Sequence, residues 1–185
     1  MNRFKKWAQR EYPLRFRLLA LLPAGILFVF LIPYVLIMLG PRLDLALRLP
    51  AASLGIVNIL AGALLIAIGL IYAFGSIGLQ LFQAGGTPLP VMATHRLLAT
   101  GVFKQCRNPM SFGTICLYLG ISILVGSISS LLIVIIFSAL LMLYIKAVEE
   151  RELALRFGAE YAAYKAVTPF IIPRVAFRHK SDRGR

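Results

Sequence analysis

The chain has 185 residues, 59% of them hydrophobic, and a mean hydropathy of +0.83. A soluble domain of this length has too little interior to hide so much apolar surface, so the expected solvent is lipid and the expected organisation is one membrane domain, residues 1–185, of several spans. Twenty Lys and Arg face seven Asp and Glu, for a net charge of +13. The basic segments flank apolar runs, which excludes the aromatic-interleaved basic surface of a nucleic-acid binder and fits the positive-inside rule together with attraction to anionic lipid headgroups.

Basic residues crowd both ends: Arg3, Lys5, Lys6, Arg10, Arg15 and Arg17 at the start, and Arg174, Arg178, Lys180, Arg183 and Arg185 at the finish. Leu18 to Leu39 is an uninterrupted apolar run, roughly 33 Å long as a helix and so long enough to cross a bilayer. It lacks the short core and small-residue cleavage motif of a signal peptide. Pro23 and Pro33 inside it predict kinks, with neighbouring helices satisfying the freed carbonyls. A short polar stretch with Arg42, Asp44 and Arg48 follows.

The second span is predicted from about Ala51 to Phe74, with an extension toward Phe82. Gly55, Gly62, Gly69 and Ser76 recur every seven residues and predict a small-residue face for close helix packing. Residues 1–82 therefore form an N-terminal pair of spans. Gln83 to Thr94 reads as a loop, from Gly85-Gly86, Pro88 and Pro90. His95 to Arg107 is mixed and reads as interfacial, with room for a fifth, tilted or re-entrant segment between Gln83 and Arg107.

The third span is predicted from Pro109 to Val125, Gly126-Ser127 is a tight turn, and the fourth span runs from Ile128 to about Val148. A charged amphipathic helix, Glu149 to Ala166, then leaves the membrane, with Phe157, Tyr161 and Tyr164 on one face. The fold class is all-α: a multi-pass bundle of four spans with that helix at its cytoplasmic end. Four crossings put both termini and the loop carrying His95, Arg96, Lys104 and Arg107 on one side, which the positive-inside rule makes cytoplasmic.

Three polar pieces on that side can carry chemistry. Asn108 and Pro109 are a favoured N-cap and first helical residue, so Arg107-Asn108-Pro109-Met110-Ser111 presents a helix start, its dipole and a guanidinium to a carboxylate or phosphate. The plainer reading is an ordinary cap with an interfacial arginine. Glu149-Glu150 closes the fourth span. It is either a Lys146–Glu150 ion pair on a solvated face or an acceptor for ribose hydroxyls and a positive ligand. The His95 to Phe103 stretch has nothing local that makes its histidine a base. Cys106 and Cys116 form no CxxC pair, and with only two histidines far apart a metal site is not expected.

The order of these pieces resembles the isoprenylcysteine carboxyl methyltransferase and phospholipid methyltransferase superfamily. The pieces are His-x-Leu-x-x-x-Gly-x-aromatic at His95–Phe103, Arg-Asn-Pro at Arg107–Pro109, an apolar hairpin, Glu-Glu-x-x-Leu at Glu149–Leu153, and Phe157-Gly158 with Tyr161 and Tyr164. The resemblance covers about Thr94 to Pro173 and makes residues 83–185 a methyltransferase-like half. It implies S-adenosylmethionine as cofactor, with contacts from His95, Arg96, Leu97, Leu98, Phe103, Asn108, Pro109, Met110, Ser111 and Glu149. It marks Arg107 and Glu150 as catalytic candidates. The family's Arg-His-Pro-x-Tyr stands here as Arg107-Asn108-Pro109-Met110-Ser111, and Ile145 stands where carboxyl methyltransferases carry an Arg.

Methyl transfer from a sulfonium needs alignment and exclusion of water and no protein nucleophile, so the lack of a Ser/His/Asp arrangement is no objection. The resemblance thus implies a membrane methyltransferase acting on a lipophilic acceptor from the bilayer: first the carboxylate of a prenylated cysteine, then the amine of a phospholipid. The competing classes are an NADPH-dependent sterol-type reductase, which needs more cations than Arg96, Lys104 and Arg107 for the extra phosphate, and a non-catalytic membrane partner.

Overall fold

A computed structural model describes residues 13–53, 55–85 and 96–174. Helix α1 (Leu14–Gly25) passes through a π-helical turn (Ile26–Leu31) into α2 (Ile32–Leu47); α3 (Ile56–Phe82), the short α4 (Val102–Gln105), α5 (Pro109–Val125) and α6 (Ile128–Tyr144) follow. A second π-helical turn (Ile145–Glu149) leads into α7 (Glu150–Val167).

Three continuous helices are long and apolar enough to cross a membrane: Arg15–Leu47, Ile56–Phe82 and the helix that begins at Ile128. The fourth, Pro109–Val125, is apolar and 17 residues long, the lower limit for a spanning helix. Large apolar side chains point outward on these helices, among them Phe30 at 69% exposure, Ile71 at 65% and Leu140 at 62%. Helices apolar all round with such surfaces are solvated by hydrocarbon, so this is an integral membrane protein.

The first helix does not stop at Leu39. It continues to Leu47, so Arg42 and Asp44 lie on its last turns, and Arg48 ends it in the left-handed conformation at φ 54°. The reason is Asp44, which is buried and accepts the Ser129 N–H at 2.8 Å, capping the start of α6 from a neighbouring helix. Ser127 caps the same start from within the chain, accepting the Ser130 N–H at 3.1 Å. The second span likewise begins at Ile56 rather than Ala51 and runs to Phe82.

The prolines of the first helix act through the π-helical turn between them. There the Ile32 N–H donates to the Leu27 carbonyl, five residues back. The next bond in that register would join Pro33 to Phe28, and proline has no N–H. The Tyr118 hydroxyl of α5 donates to the Phe28 carbonyl at 2.7 Å instead. Tyr118 is fully buried and centres a core with Leu36 and Val134.

Helices α3 and α5 pack antiparallel with their backbones in contact. A Cβ on Gly69 would meet the Gly113 carbonyl at 2.6 Å, and one on Gly113 would meet the Gly69 carbonyl at 2.6 Å. Gly62 and Gly120 repeat the arrangement one heptad away, at 2.9 and 2.7 Å. The small-residue face therefore packs as expected, except that Gly55 stands at the start of α3 with open space around it and a positive φ of 63°. At the same end the Asn58 amide donates to the carbonyls of Ala52 at 2.7 Å and Ile123 at 2.8 Å, closing the last turn of α5.

These contacts alternate the helices up, down, up and down, which brings the start of α5 and the end of α6 to the same end of the bundle. Gly69→Val places two methyl groups against backbone that cannot yield, and we expect a loss of more than about 3 kcal/mol, read as a fall in the thermal unfolding midpoint in detergent. An unchanged midpoint rejects the backbone contact.

Candidate active site

The end of the bundle that holds the starts of α1 and α5 encloses a cavity of about 350 Å³. Its size lies in the range of small-molecule sites. Leu21, Ala24 and Phe28 of the first helix and Leu141 and Tyr144 of α6 make an apolar wall. Arg107, Asn108, Met110, Ser111 and Thr114 supply a polar wall at the start of α5. Opposite, Glu149, Glu152, Leu153 and Arg156 line it at i, i+3, i+4 and i+7, one face of a helix. Leu97, Leu98 and Phe103 close the remaining side, with Leu98 and Phe103 buried against Ala84.

The candidate residues thus divide. Leu97, Leu98, Phe103, Arg107, Asn108, Met110, Ser111 and Glu149 line one cavity. Arg96 is exposed and stands outside its wall, and Pro109 is buried behind it. Glu150 also lies off the wall and is ion-paired with Arg107. His95 lies outside the described residues.

Asn108 occupies the N-cap position of α5, but its side chain makes no cap bond. Its amide instead donates to the Phe170 carbonyl at 2.8 Å. The α5 start is therefore left without a side-chain cap, and its first-turn N–H groups carry partial positive charge toward any anion in the cavity. The tight Gly126 turn at the other end of α5 forms as expected, with φ 67°.

Arg107 is the centre of the site's electrostatics. Its Nη1 donates to Glu150, and their side chains are 10% and 11% exposed. The Tyr161 hydroxyl lies 3.4 Å from the same nitrogen. Glu150 also accepts from Lys165 at 2.6 Å. Lys146 does not pair with Glu150, as the i−4 spacing suggested; its Nζ lies 5.0 Å from the Phe170 ring centre. The π-helical turn at Ile145–Glu149 breaks the spacing that pairing needs, by widening the helix between the two residues. The Arg107 Nε is buried and has no partner among the described residues.

The last helix does not run as a single amphipathic rod. Gly158 takes φ 54° and ψ −123°, which breaks the helical path. Phe157 and the two tyrosines therefore do not share a face. Phe157 stacks under Arg156 at 5.1 Å, while Tyr161 and Tyr164 are buried on the site side. The Tyr164 hydroxyl donates to the Phe103 carbonyl at 2.6 Å, fixing the loop that precedes α5. Burial pushes the phenols of both tyrosines above their usual range. Burial likewise pushes the Cys106 thiol up to about 11, so it is an unreactive core group.

Glu149 follows the end of the fourth span and keeps accessible surface in the cavity. Protein atoms crowd it, and that desolvation, with Glu152 and Glu150 close by, pushes its carboxyl above the usual carboxylate range. Glu152 pairs with Arg156 at 3.1 Å along the same helix face.

With this arrangement in place, the relationship of the chain to known proteins can be stated. The phospholipid methyltransferase family matches residues 57–160. The chain belongs to that family. Neither a curated protein nor a solved structure matches it. The family stretch opens in α3, so the second span belongs to it, although the sequence motifs begin only near Thr94. It ends before Tyr161, Tyr164 and Phe170, which lie beyond the matched residues of this membrane methyltransferase.

Several wall residues carry no motif. Leu21, Ala24 and Phe28 sit in an apolar run whose composition says only that it spans. Glu152 and Arg156 were legible in principle, since they repeat at i+3 and i+7 from Glu149.

Glu150→Gln leaves the Arg107 charge part-buried without its carboxylate. We expect a loss of about 3–5 kcal/mol, seen in thermal unfolding, whereas Lys165→Gln, which removes the 48% exposed partner of Glu150, costs less than about 1 kcal/mol. Equal losses would show that Arg107 does not depend on this pair.

Proposed function

We propose that this chain is an S-adenosylmethionine-dependent methyltransferase whose acceptor is a bilayer lipid bearing an amine headgroup. The single observation that carries the reading is the cavity itself: a guanidinium and an uncapped helix start on one wall face a carboxylate pair on the other. A zwitterionic nucleoside has the matching charges.

The residues fit that cofactor. Arg107 lines the cavity with its guanidinium already held by Glu150, which suits the cofactor's carboxylate. Glu149 suits the ammonium or the ribose hydroxyls. Leu97, Leu98 and Phe103 offer an apolar bed for a purine. When bound, the group supplies an electrophilic methyl on a sulfonium. The chain's own part is to orient the acceptor behind that methyl and to keep water out.

The acceptor reading rests on charge. Glu152 is the second carboxylate of the wall and suits a headgroup amine. Ile145 is 1% exposed in an apolar setting, so no cation occupies the place where the carboxyl methyltransferases carry an Arg. The prenylated cysteine carboxylate is the second reading, supported by Arg156 in the wall. In either case the apolar wall from the first helix and α6 matches a lipid tail. Arg15, Arg17, Arg107 and Arg174 at this end of the bundle, read by the positive-inside rule, support a cytoplasmic location for it.

Purified protein in detergent should bind S-adenosylhomocysteine by calorimetry, and Glu149→Ala should weaken binding at least tenfold. Binding of NADPH in its place would overturn the reading. Label from the methyl donor should appear in phosphatidylethanolamine; label found only in a prenylcysteine analogue selects the second reading. A third outcome concerns pH. The raised Glu149 carboxyl protonates at a higher pH than an ordinary carboxylate, so affinity that depends on its charge is full above that range and falls as pH drops through it. Glu149→Gln should flatten this fall in a binding titration taken downward from neutral pH. An unchanged slope removes Glu149 from the donor site.

A further inference from the structure

The residues after α7 cross back over the start of α5. The Arg107 N–H donates to the Pro169 carbonyl at 2.8 Å. The Asn108 amide donates to the Phe170 carbonyl at 2.8 Å. The Arg174 N–H donates to the Gln105 carbonyl at 2.9 Å. Three residues of the Gln105–Asn108 segment, Gln105, Arg107 and Asn108, are thus tied to one strap, residues 168–174, which begins at buried Thr168. Between them the Phe170 ring carries two cations: the Arg107 guanidinium at 5.6 Å and the Lys146 Nζ at 5.0 Å.

We propose that this strap is a positioning element of the methyl-donor site and that Phe170 is its positioning residue, acting through Arg107. The proposal rests on the donor site described above and extends it to residues outside the family-matched stretch. Glu150 takes one nitrogen of the guanidinium, Tyr161 lies beside it, and the Phe170 ring lies against the group. The contacts that remain for the guanidinium belong to the cavity it lines. An arginine on a flexible stem loses side-chain entropy when it grips a ligand, and holding it beforehand removes that loss. The ring also lowers the mutual repulsion of Arg107 and Lys146, since its negative face attracts both.

A ring that only fills space differs from one that acts through its π face, and fluorination separates the two. Phe170 is replaced in the full chain by mono-, di- and trifluorinated phenylalanine, which keep shape while draining the π face. We expect S-adenosylhomocysteine affinity to fall stepwise, by roughly three- to tenfold at trifluoro, with kcat at saturating donor almost unchanged. Phe170→Tyr should retain affinity and Phe170→Leu should lose it. If Phe170→Leu fails to fold, the fluorinated series still reports, because it preserves packing. A flat affinity across the series, in protein that binds the adenosyl compound, overturns the strap's role alone. Absence of that binding in the unsubstituted protein overturns the donor site, and the proposal with it.

Discussion

Helices α3 and α5 meet backbone against backbone, where Gly69 faces Gly113 and Gly62 faces Gly120. In hydrocarbon there is no hydrophobic drive between helices, so contact of this kind, with its many dispersion pairs, is what holds two spans together. It also sets the height of α5 relative to α3. Gly113 is four residues from Pro109, so the heptad contact fixes where the α5 start emerges. The cavity's polar wall is built on that start. A slip of α5 along α3 would carry Arg107, Asn108 and Ser111 away from Glu149 together.

The second constraint is that carbonyls freed inside the bilayer must find donors within the protein. The proline-bearing helix shows the rule at work. Pro33 deprives Phe28 of its bond in the π register, and Tyr118 restores it from α5. Ser130 does similar service for the Leu36 carbonyl at 2.7 Å. These bonds tie the first helix to the family-matched part of the chain. The consequence reaches the site, because Phe28 is both the residue whose carbonyl is held and one whose surface faces the cavity.

What the sequence made legible follows from the range of each interaction. Apolar runs and a heptad of small residues are local patterns, and they placed the spans and their packing face. Span ends were less legible. Arg42, Asp44 and Arg48 look like a loop until Ser129 is known to need a cap, and that partner lies 85 positions away. Asn108 failed for the same reason. Its local role as a cap was sound chemistry, but a carbonyl 62 positions on claimed the amide. Lys146 and Glu150 have ideal spacing for an α-helix, and the chain between them is not α-helical. Motif residues around the cavity were legible as a set, while Leu21, Ala24 and Phe28 were not, because an apolar side chain in a span carries no sign of which neighbour it faces.

The polar network around Arg107 has an uneven charge balance that bears on why it persists. Glu150 is one carboxylate against two cations, Arg107 and Lys165, with Lys146 close enough to share the Phe170 ring with Arg107. Only Arg107 and Glu150 of this group are largely buried, at 10% and 11% exposure, whereas Lys165 is 48% exposed and Lys146 is exposed, so water screens the surplus charge. The surplus lies beside a cavity wall that also carries an uncapped helix start, which adds positive potential of its own. The other helix face of the lining carries Glu149 and the Glu152–Arg156 ion pair. The cavity is therefore lined by groups of both charges, cationic around Arg107 and anionic at Glu149.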